Sequence, residues 1–381
     1  MGIINRLFQK NVTVSSFKMM TDEGNGYYSY NGNLYQSDIV RSAIRPKARA
    51  IGKAIAKHIR KTSEGLKVNP DAYMRFLLEE PNPYMSGQML QEKLITHLEL
   101  NNNAFAYIQR DSNGYPIGIY PINPTSSEAV EDVSGELFLR FILRQGQVVT
   151  FRYSDVIHLR KDFNSNKIFG DSPASALTPL MEIVTTTDQG IVKAIKNSNV
   201  IKWLLKFNGS LRPEDMKKQV DEFINNYMNT ESTTIGAAGV DSKAEAIQLT
   251  PNDYVPNAVQ MDKTVQRILS FFSTNLKIIQ GSYSENEWIA YYESGCEPDI
   301  IQLSNEYTRK LFTRKERGFG NKIIFESSNM SYASMQTKLS LVQLVDRGII
   351  SPNEHREILN YAPREGGDTF LLRKDTGTVK E

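Results

Sequence analysis

The chain has 381 residues with a net charge of +2, and 40% of them are hydrophobic and 23% charged. This composition supplies a substantial core and argues against global disorder, and the near-balanced charge gives no case for a protein that coats nucleic acid except through local patches. The single cysteine, Cys296, excludes an internal disulfide and a paired-cysteine metal site, and it indicates a reducing compartment. No apolar run reaches the ~20 residues of a membrane span, and the first residues lack the apolar region of a signal peptide. We therefore expect a soluble protein made inside the cell, without membrane contact.

The first strong periodic signal is helical. Apolar residues recur three or four positions apart between residues 44 and 59, which predicts a helix over 37–60 that begins or kinks at Pro46. The other face carries a basic row at i, i+4 spacing: Arg41, Arg45, Arg49, Lys53 and Lys57. Such a row is typical of a solvated helix face, and it also suits contact with DNA or an acidic partner. Both interpretations stay open at this point.

Residues 104–161 have the period of strands. After a break at LLEEPNPY, Ser86 is placed to cap a helix over 87–101. Alternating or continuous apolar segments follow, separated by the turn sequences SNGYP, VSGE and QGQ. The segments are AFAYIQR, IGIYPI, LFLRFILR, VVTFRY and VIHLRK. Their order and spacing predict an antiparallel meander.

From residue 172 onward the pattern is mostly helical. Ser172 and Pro173 predict the start of a long helix that ends near residue 199, and a second long helix is predicted over 252–274. Between them lie an apolar run at 201–207, a short helix at 213–228 and a strand-like AIQL. A third helix is predicted over 287–312, disturbed at Pro298.

The segment between the second and third helices is short and polar. Its small and polar residues favour an irregular, mobile backbone over 280–287. Tyr283 and Trp288 flank this predicted loop. The two aromatic residues could pack locally or could contact a ligand, and the sequence leaves both interpretations open.

No motif predicts catalysis or a bound metal. The chain lacks GxxxxGK[ST], GxGxxG, HExxH and GxSxG. The four histidines, His58, His97, His158 and His355, stand far apart and none pairs with another at metal-ligand spacing. His158 in VIHLR is expected to be a hydrogen-bonded structural histidine. We therefore expect no enzyme, no cofactor and no metal site.

The sequence RGIISPNEHREILNYAPREGG, at 347–367, predicts two short helices joined by a tight turn. Gly348 marks the end of the first helix, and SPNE forms a capping box in which Ser351 is the cap and Glu354 lies three residues on. A DNA-reading helix-turn-helix would present the start of the second helix to the duplex, where Glu354 and Glu357 are unfavourable. We interpret the stretch as a structural joint.

Three segments, in this order, resemble the portal proteins of long-tailed bacteriophages. They are LLEEPNPYMSGQML with LELNNNAFAYIQRDSNGYPIGIYPINP, then DVIHLRKDFNSNKIFGDSPASAL, then RGIISPNEHREILNYAPREGGD. The quoted segments lie within 77–368, and the resemblance covers about residues 35–370. The chain departs from the family at FFSTNLKIIQGSYSENE, where members often carry a small-Gly-Val-Pro-Pro segment.

The resemblance implies an α+β, portal-like fold. Its parts would be a wing of mixed α/β structure with antiparallel strands at 1–171, stem helices at 172–199 and 252–275, a clip at 200–251, a tunnel loop at 276–287, and wing and crown helices with a polar tail at 288–381. The residues of the tunnel loop expected to face the DNA channel are Gln280, Gly281, Ser282, Tyr283, Ser284, Asn286 and Glu287.

The resemblance also implies a structural protein rather than an enzyme. It would form a homo-oligomeric ring, a dodecamer, at one capsid vertex, as the channel for packaging and ejection of double-stranded DNA without sequence specificity. Its partners would be the large terminase packaging motor, the head-tail connector, and the major capsid protein or scaffold. It would reside in the virion after assembly in the host cytoplasm. The alternative from the residues alone is a cytoplasmic DNA-binding or scaffold module that uses the basic helix 41–57.

Simple geometry agrees with a helical channel. About twelve helices, each about 10 Å wide, enclose a lumen of roughly 28 Å, which admits a B-form duplex of roughly 20 Å. In such a ring a single lysine that faces the lumen becomes a ring of cations that would hold phosphates and slow the DNA. The small net charge fits a channel that releases its cargo.

Overall fold

The computed structural model describes residues 18–19, 26–28, 34–63, 65–144, 146–164, 168–197, 203–207, 212–223, 244–248, 258–326, 335–359 and 361–371. The chain divides into two compact units, one made of Met1–Thr178 with Val265–Glu381 and the other of Pro179–Thr264. The division falls inside two helices, Ala174–Asn197 and Ala258–Phe271.

Helices and antiparallel strands alternate along the described residues. The helices are α1 Asp38–Gly52, α2 Ala72–Glu79, α3 Gly87–Asn101, α4 Ala174–Asn197, α5 Pro213–Phe223, α6 Ala258–Phe271, α7 Leu276–Gln280, α8 Glu285–Tyr291, α9 Glu297–Leu311, α10 Arg314–Gly318, α11 Met335–Ser340, α12 Val342–Asp346 and α13 Pro352–Ile358. The strands are β1 Lys18–Met19, β2 Gly26–Tyr28, β3 Ile55–Thr62, β4 Gly65–Val68, β5 Asn103–Arg110, β6 Pro116–Ile122, β7 Ser126–Glu131, β8 Leu137–Ile142, β9 Val148–Arg152, β10 Val156–Arg160, β11 Trp203–Phe207, β12 Ala244–Gln248 and β13 Asn321–Glu326.

The strands predicted over 104–161 form, but not as one meander. Strand β5 lies between β6 and β10, with His158 opposite Phe105, while β7, β8 and β9 belong to another sheet together with β1 and β2. The prediction missed β7 because its sequence SSEAVE is polar. The pairing of β10 with β5 depends on tertiary packing and has no local signal.

The helix predicted over 37–60 is wrong in its second half. Helix α1 starts at the cap Ser37, contains Pro46, and ends at Gly52. The following residues form β3, which pairs with β4 on one side and with β13 on the other. A Cβ on Gly52 would lie 2.5 Å from Cγ of Glu92, so α1 ends where it packs closely on α3.

The later helices follow the sequence signals more closely. Helix α4 begins directly after Ser172 and Pro173, as predicted, and the strand-like AIQL forms β12, which pairs with β11. The predicted segments 198–199, 224–228 and 252–257 lie outside the described residues.

The third helix begins at Glu285, two residues earlier than predicted, and is interrupted by a π-helical turn, Tyr292–Cys296, just before Pro298. Since proline lacks an N–H group, the α-helical ladder cannot pass through it unchanged.

The main core lies where α1, α3 and α9 pack against β5, β10 and β13. Helix α3 buries Leu90, Leu94, Ile95 and Leu98 almost completely. Cys296 is also buried there, and burial raises the pKa of its thiol to about 12. The lone cysteine therefore packs as a small apolar residue rather than as a reactive thiol.

A buried polar network joins two of the segments that the sequence analysis singled out. Asn103 Oδ1 accepts hydrogen bonds from the Gly170 N–H at 2.9 Å and from His158 Nε2 at 3.1 Å, and Asn103 Nδ2 donates to the Gly170 carbonyl at 2.9 Å. Burial, with Arg160, Lys310 and Arg309 nearby, lowers the pKa of His158 well below its ordinary value, so its ring is neutral. The structure thus confirms His158 as a hydrogen-bonded structural histidine.

Gly170 has no room for a side chain. A Cβ there would lie 2.2 Å from the Lys161 carbonyl oxygen and 2.4 Å from that of Asn102. Both contacts are to backbone atoms, which cannot move aside as a flexible side chain can. Gly170, four residues before α4 begins, is therefore held by close backbone packing against the start of β5 and the end of β10.

A buried ion cluster ties α1, α3 and α9 together. Lys47 Nζ lies 2.7 Å from Glu99 Oε1 and 2.7 Å from Asp299 Oδ2, and Lys161 Nζ lies 2.9 Å from the same Glu99 oxygen. The side chains of Lys47, Glu99 and Asp299 are all at most 7% exposed. Burial alone would lower the pKa of Lys47, but the two carboxylates hold it above its ordinary value. Burial likewise opposes ionisation of Glu99, yet Lys47 and Lys161 keep its pKa below the usual range.

We expect Lys47→Met to lower the free energy of unfolding by about 3–5 kcal/mol, because it leaves two buried carboxylates with Lys161 alone. Without Lys47 the carboxyl pKa values rise in the folded state, which then binds more protons than the unfolded chain. The deficit relative to wild type should therefore shrink as the pH falls from about 8 to about 5. Urea unfolding followed by tryptophan fluorescence at the two pH values measures both effects.

The matched control is Arg49→Met, on the exposed face of the same helix. It should change the free energy of unfolding by no more than about 0.5 kcal/mol. Equal urea midpoints for the two variants would contradict the role assigned to the buried cluster.

Candidate functional site

The exposed face of α1 carries part of the predicted basic row. Arg41, Arg45, Arg49 and Lys53 are all exposed, while Lys47 on the opposite face is buried. The cap Ser37 accepts a hydrogen bond from the Val40 N–H and so sets the start of this helix. The spacing of four places the basic side chains along one side.

The row does not continue as a single helical surface, so the basic helix 41–57 is wrong as predicted. Arg41 donates to the Tyr35 carbonyl at 3.0 and 3.2 Å and stacks over the Tyr35 ring. Lys53 is the residue that ends α1, and Lys57 lies on β3, where it pairs with Glu326 at 2.9 Å. Among the described residues, Arg45, Arg49 and Lys53 have no acidic partner.

The predicted loop 276–287 is mostly helical. Asn275 caps α7, and Gly281 ends it in the left-handed conformation with φ of 70°. Ser284 and Glu287 form a capping box that starts α8. The irregular backbone is confined to 281–284, because SxxE is itself a helix-start signal that the sequence analysis overlooked.

Contacts within the segment hold this turn in place. Glu287 forms a close ion pair with Lys277, and its carboxylate accepts a hydrogen bond from the Ser284 N–H at 2.8 Å. The hydrogen bonds from Lys277 and Ser284 lower the pKa of Glu287 to about 2. The Tyr283 ring stacks on Trp288 with centroids 4.9 Å apart, and Tyr283 stays 39% exposed. Glu287 therefore organises the turn, whereas Tyr283 is available at its surface.

The structure brings the two predicted sets of residues to one groove. Arg45, Arg49 and Lys53 line one side, and Gln280, Gly281 and Tyr283 line the other, around a volume of about 730 Å³. Trp288 and Tyr292 contribute aromatic surface. Ser282, Ser284 and Asn286 are exposed nearby but do not line the groove. The groove combines unpaired cations with aromatic rings, an arrangement that suits contact with phosphates or carboxylates.

The segment at 347–367 has the turn and the helix start that the sequence predicted, but α13 ends at Ile358, before the Gly-Gly pair. Ser351 and Glu354 form the predicted capping box of α13, and Gly348 takes the left-handed conformation with φ of 67°. Asn353 donates to the Arg364 carbonyl at 3.0 Å, and its Oδ1 accepts from the Arg364 N–H at 2.8 Å. These contacts fold the chain back on α13 and do not form a site.

Two kinds of site find no support in the part of the chain that the structure describes. Within those ranges, no group of three or more His, Cys, Asp or Glu is placed to hold a metal ion. No helix there has the length and apolar character needed to cross a bilayer.

Some charged residues with structural or surface roles were not found from the sequence. Lys47 lies three residues after Ile44 and four before Ile51, on the apolar stripe of α1, but its ion partners Glu99 and Asp299 follow only from the packing of α1 on α3 and α9. The dense basic run RKLFTRKER at 309–317 was a usable signal, since it follows a long stretch without Lys or Arg. It lines a second cleft, described below.

Comparison with known proteins agrees with the sequence resemblance. The chain matches the family model described as "Phage portal protein" over residues 38–360. The "Probable portal protein" of Lactococcus phage p2 is 25% identical over 189 residues, which is 47% of this chain and 50% of the relative. The same figures hold for that of Lactococcus phage SK1, so the chain spans about half the length of these relatives. The "Portal protein" of Enterobacteria phage HK97 is 22% identical over 324 residues, 81% of this chain and 75% of the relative.

Solved structures share the fold at low identity. The neck of the native gene transfer agent particle, computed with C12 symmetry, has a TM-score of 0.69 at 13% identity and covers 90% of this chain and 96% of that chain. An HK97-family phage portal protein from Corynebacterium diphtheriae has a TM-score of 0.51 at 11% identity and covers 81% of this chain and 98% of that chain. These likenesses establish the α+β, portal-like fold. Since the family match extends over most of the residues and the fold agrees with it, the chain belongs to the phage portal protein family.

Proposed function

We propose that the chain is the structural subunit of a ring at one capsid vertex, through which double-stranded DNA enters and leaves the particle. The observation that carries this proposal is the match to the portal family over residues 38–360. The likeness in fold to a neck structure of C12 symmetry supports a ring of about twelve copies. The ring would belong to the virion and would assemble in the host cytoplasm.

The division of the chain supports a wing, stem and clip. The compact unit Pro179–Thr264 is separate from the rest, and the chain enters it through α4 and leaves it through α6. We assign the stem to 172–199 and 252–275, the clip to 200–251, and the wing and crown to 1–171 and 288–381. The packaging motor and then the head-tail connector would bind the clip, and capsid or scaffold protein would contact the wing.

We assign the DNA-facing role to the turn between α7 and α8. Gly281, Ser282, Tyr283, Ser284 and Asn286 are exposed, and Ser284 and Lys277 fix Glu287 so that the turn keeps its shape. A turn of this kind touches phosphates without reading bases. The basic side of the groove, Arg45, Arg49 and Lys53, would add attraction beside it. Its cations are set back on α1 rather than on the turn itself.

The purified chain should form closed rings of roughly half a megadalton, about twelve copies of a 43.2 kDa chain. A ring requires head-to-tail contacts in which each subunit presents two different faces. Light scattering after size-exclusion chromatography and electron microscopy measure this. Monomers or two-fold dimers at every salt and protein concentration would count against the ring. A monomer that retards DNA on a gel would favour the DNA-binding module.

The ring by itself should neither hydrolyse ATP nor cut DNA. The sequence lacks a phosphate-binding loop, and the described residues hold no metal-ligand cluster. ATP turnover and plasmid nicking, assayed with Mg²⁺ and duplex DNA, should remain at the level of the buffer. Hydrolysis that a single substitution in this chain abolishes would show that the protein is an enzyme.

Tyr283→Glu should leave ring assembly intact and should reduce DNA packaging or retention severalfold. In a ring the substitution adds one negative charge per subunit beside the duplex, which repels phosphates and raises the barrier to passage. The control is Val133→Glu, which adds the same charge at an 88% exposed position between β7 and β8. DNA per particle after packaging, measured by nuclease protection, separates the two variants.

Loss of the ring in Tyr283→Glu alone would identify the turn as a subunit contact. Equal packaging by the two variants would remove the turn from the DNA path.

A further inference from the structure

A second, strongly cationic cleft lies away from the groove. It has a volume of about 660 Å³ between the β9–β10 connection and the end of α9. Its basic lining residues are Arg110, Arg152, Arg309, Lys310, Arg314 and Arg317, and its acidic ones are Glu136 and Asp155. The cleft therefore holds a clear excess of positive charge in a concave surface.

Only some of these cations are neutralised. Arg110 pairs with Asp155 at 2.8 Å, and Arg309 pairs with Glu306 at 2.5 Å. Among the described residues, Lys310 donates to the Tyr153 carbonyl and lies over the Tyr153 ring at 3.6 Å. Burial, together with Arg309 and Arg110, lowers the pKa of Lys310 to about 8 against the opposing effect of Glu306 and Asp155.

Arg314 and Arg317 are the unpaired members. Within the described residues neither side chain has a hydrogen-bond or acidic partner, and Arg317 Nε is buried without an acceptor. Buried N–H groups are nearly always bonded, so the Arg317 Nε–H favours an acceptor from outside the described residues. Guanidinium groups bind carboxylates and phosphates through paired hydrogen bonds. Arg314 and Arg317 therefore suit an oxyanion supplied by another molecule.

The cleft has a volume of about 660 Å³ and is open on one side, so side chains from a neighbouring surface fit it. A matching acidic surface on the chain itself favours a carboxylate from a protein over the phosphates of a duplex.

The chain itself carries a matching acidic surface. Residues 278–308 contain no Lys or Arg. Within this stretch Glu293 and Glu297 are exposed and have no basic partner among the described residues, and Ile301, four residues further on, is 53% exposed. The cleft residues carry more net positive charge than the whole chain, whose net charge is +2, so the remainder is net negative.

One copy cannot satisfy its own cleft. Glu297 begins α9, whereas Arg314 follows its end, and a helix of 15 residues is about 22 Å long. The acidic surface and the cleft therefore lie at opposite ends of one rigid helix. Opposite charges at two separate places are what a head-to-tail contact between identical copies requires.

We propose that Glu293 and Glu297 of one copy bind in the cleft of the next copy, against Arg314 and Arg317, and so set the direction of subunit contacts around the ring. This inference rests on the proposed ring. The inference adds which two surfaces of neighbouring copies meet. Each subunit then presents its glutamates to one neighbour and its arginines to the other.

The test uses two full-length variants, each with one surface reversed in charge. The first is Arg314→Glu with Arg317→Glu, and the second is Glu293→Lys with Glu297→Lys. Each alone brings like charges together, so the concentration needed for ring formation should rise at least about 30-fold. An equimolar mixture should recover rings, because alternating copies then restore opposite charges at every contact. Circular dichroism confirms that each variant is folded.

The control is Lys61→Glu with Lys315→Glu, which reverses two exposed lysines outside the cleft and should assemble as wild type.

If wild-type chains form rings and both single-surface variants also form them, this contact is overturned and the proposed function still stands. Failure of the mixture to assemble would overturn the pairing as well. Normal rings with weakened duplex DNA binding in the arginine variant would make the cleft a phosphate site instead. Wild-type chains that never form rings would overturn the proposed function and the contact together.

Discussion

The buried ion cluster of Lys47, Glu99, Lys161 and Asp299 is the interaction on which the larger compact unit depends. These side chains come from α1, from α3, from the end of β10 and from α9. A buried charge without its partner costs several kcal/mol, whereas the complete set is compensated. The four elements must therefore pack together or not at all. This couples an N-terminal helix to a C-terminal one and positions both the groove and the cleft, which lie on the outer sides of α1 and α9.

A second network joins the first two of the portal-like segments. Asn103 belongs to the first segment, His158 and Gly170 belong to the second, and hydrogen bonds join them around one buried histidine. The contact requires a side-chain amide, a neutral imidazole and a residue without a Cβ. They hold the segment that precedes the long helix α4 against β5 and β10.

The surface charge is arranged in two places with different characters. The groove combines unpaired cations with exposed aromatic rings, whereas the cleft contains Arg314 and Arg317, of which Arg317 Nε is buried without an acceptor among the described residues. In a ring each such feature is repeated in every subunit, so a small local imbalance becomes a strong field. A protein of near-zero net charge can thus attract its own copies at one surface and still let DNA pass at another. The two features can be altered separately, because they share no residues.

The sequence by itself determined what depends on near neighbours along the chain. The capping boxes, the Gly348 stop, the start of α4 and most strands follow from residues within about four positions, and the portal family was recognisable from the order of its segments. Tertiary structure decided the rest. Ile55 and Ile59 fit a helical and a strand period equally well, and only pairing with β4 and β13 makes them a strand. The ion partners of Lys47, the pairing of β10 with β5, and the meeting of α1 with the turn at 281–284 depend on residues distant in sequence. No local period carries that information, because these contacts form only when the core closes.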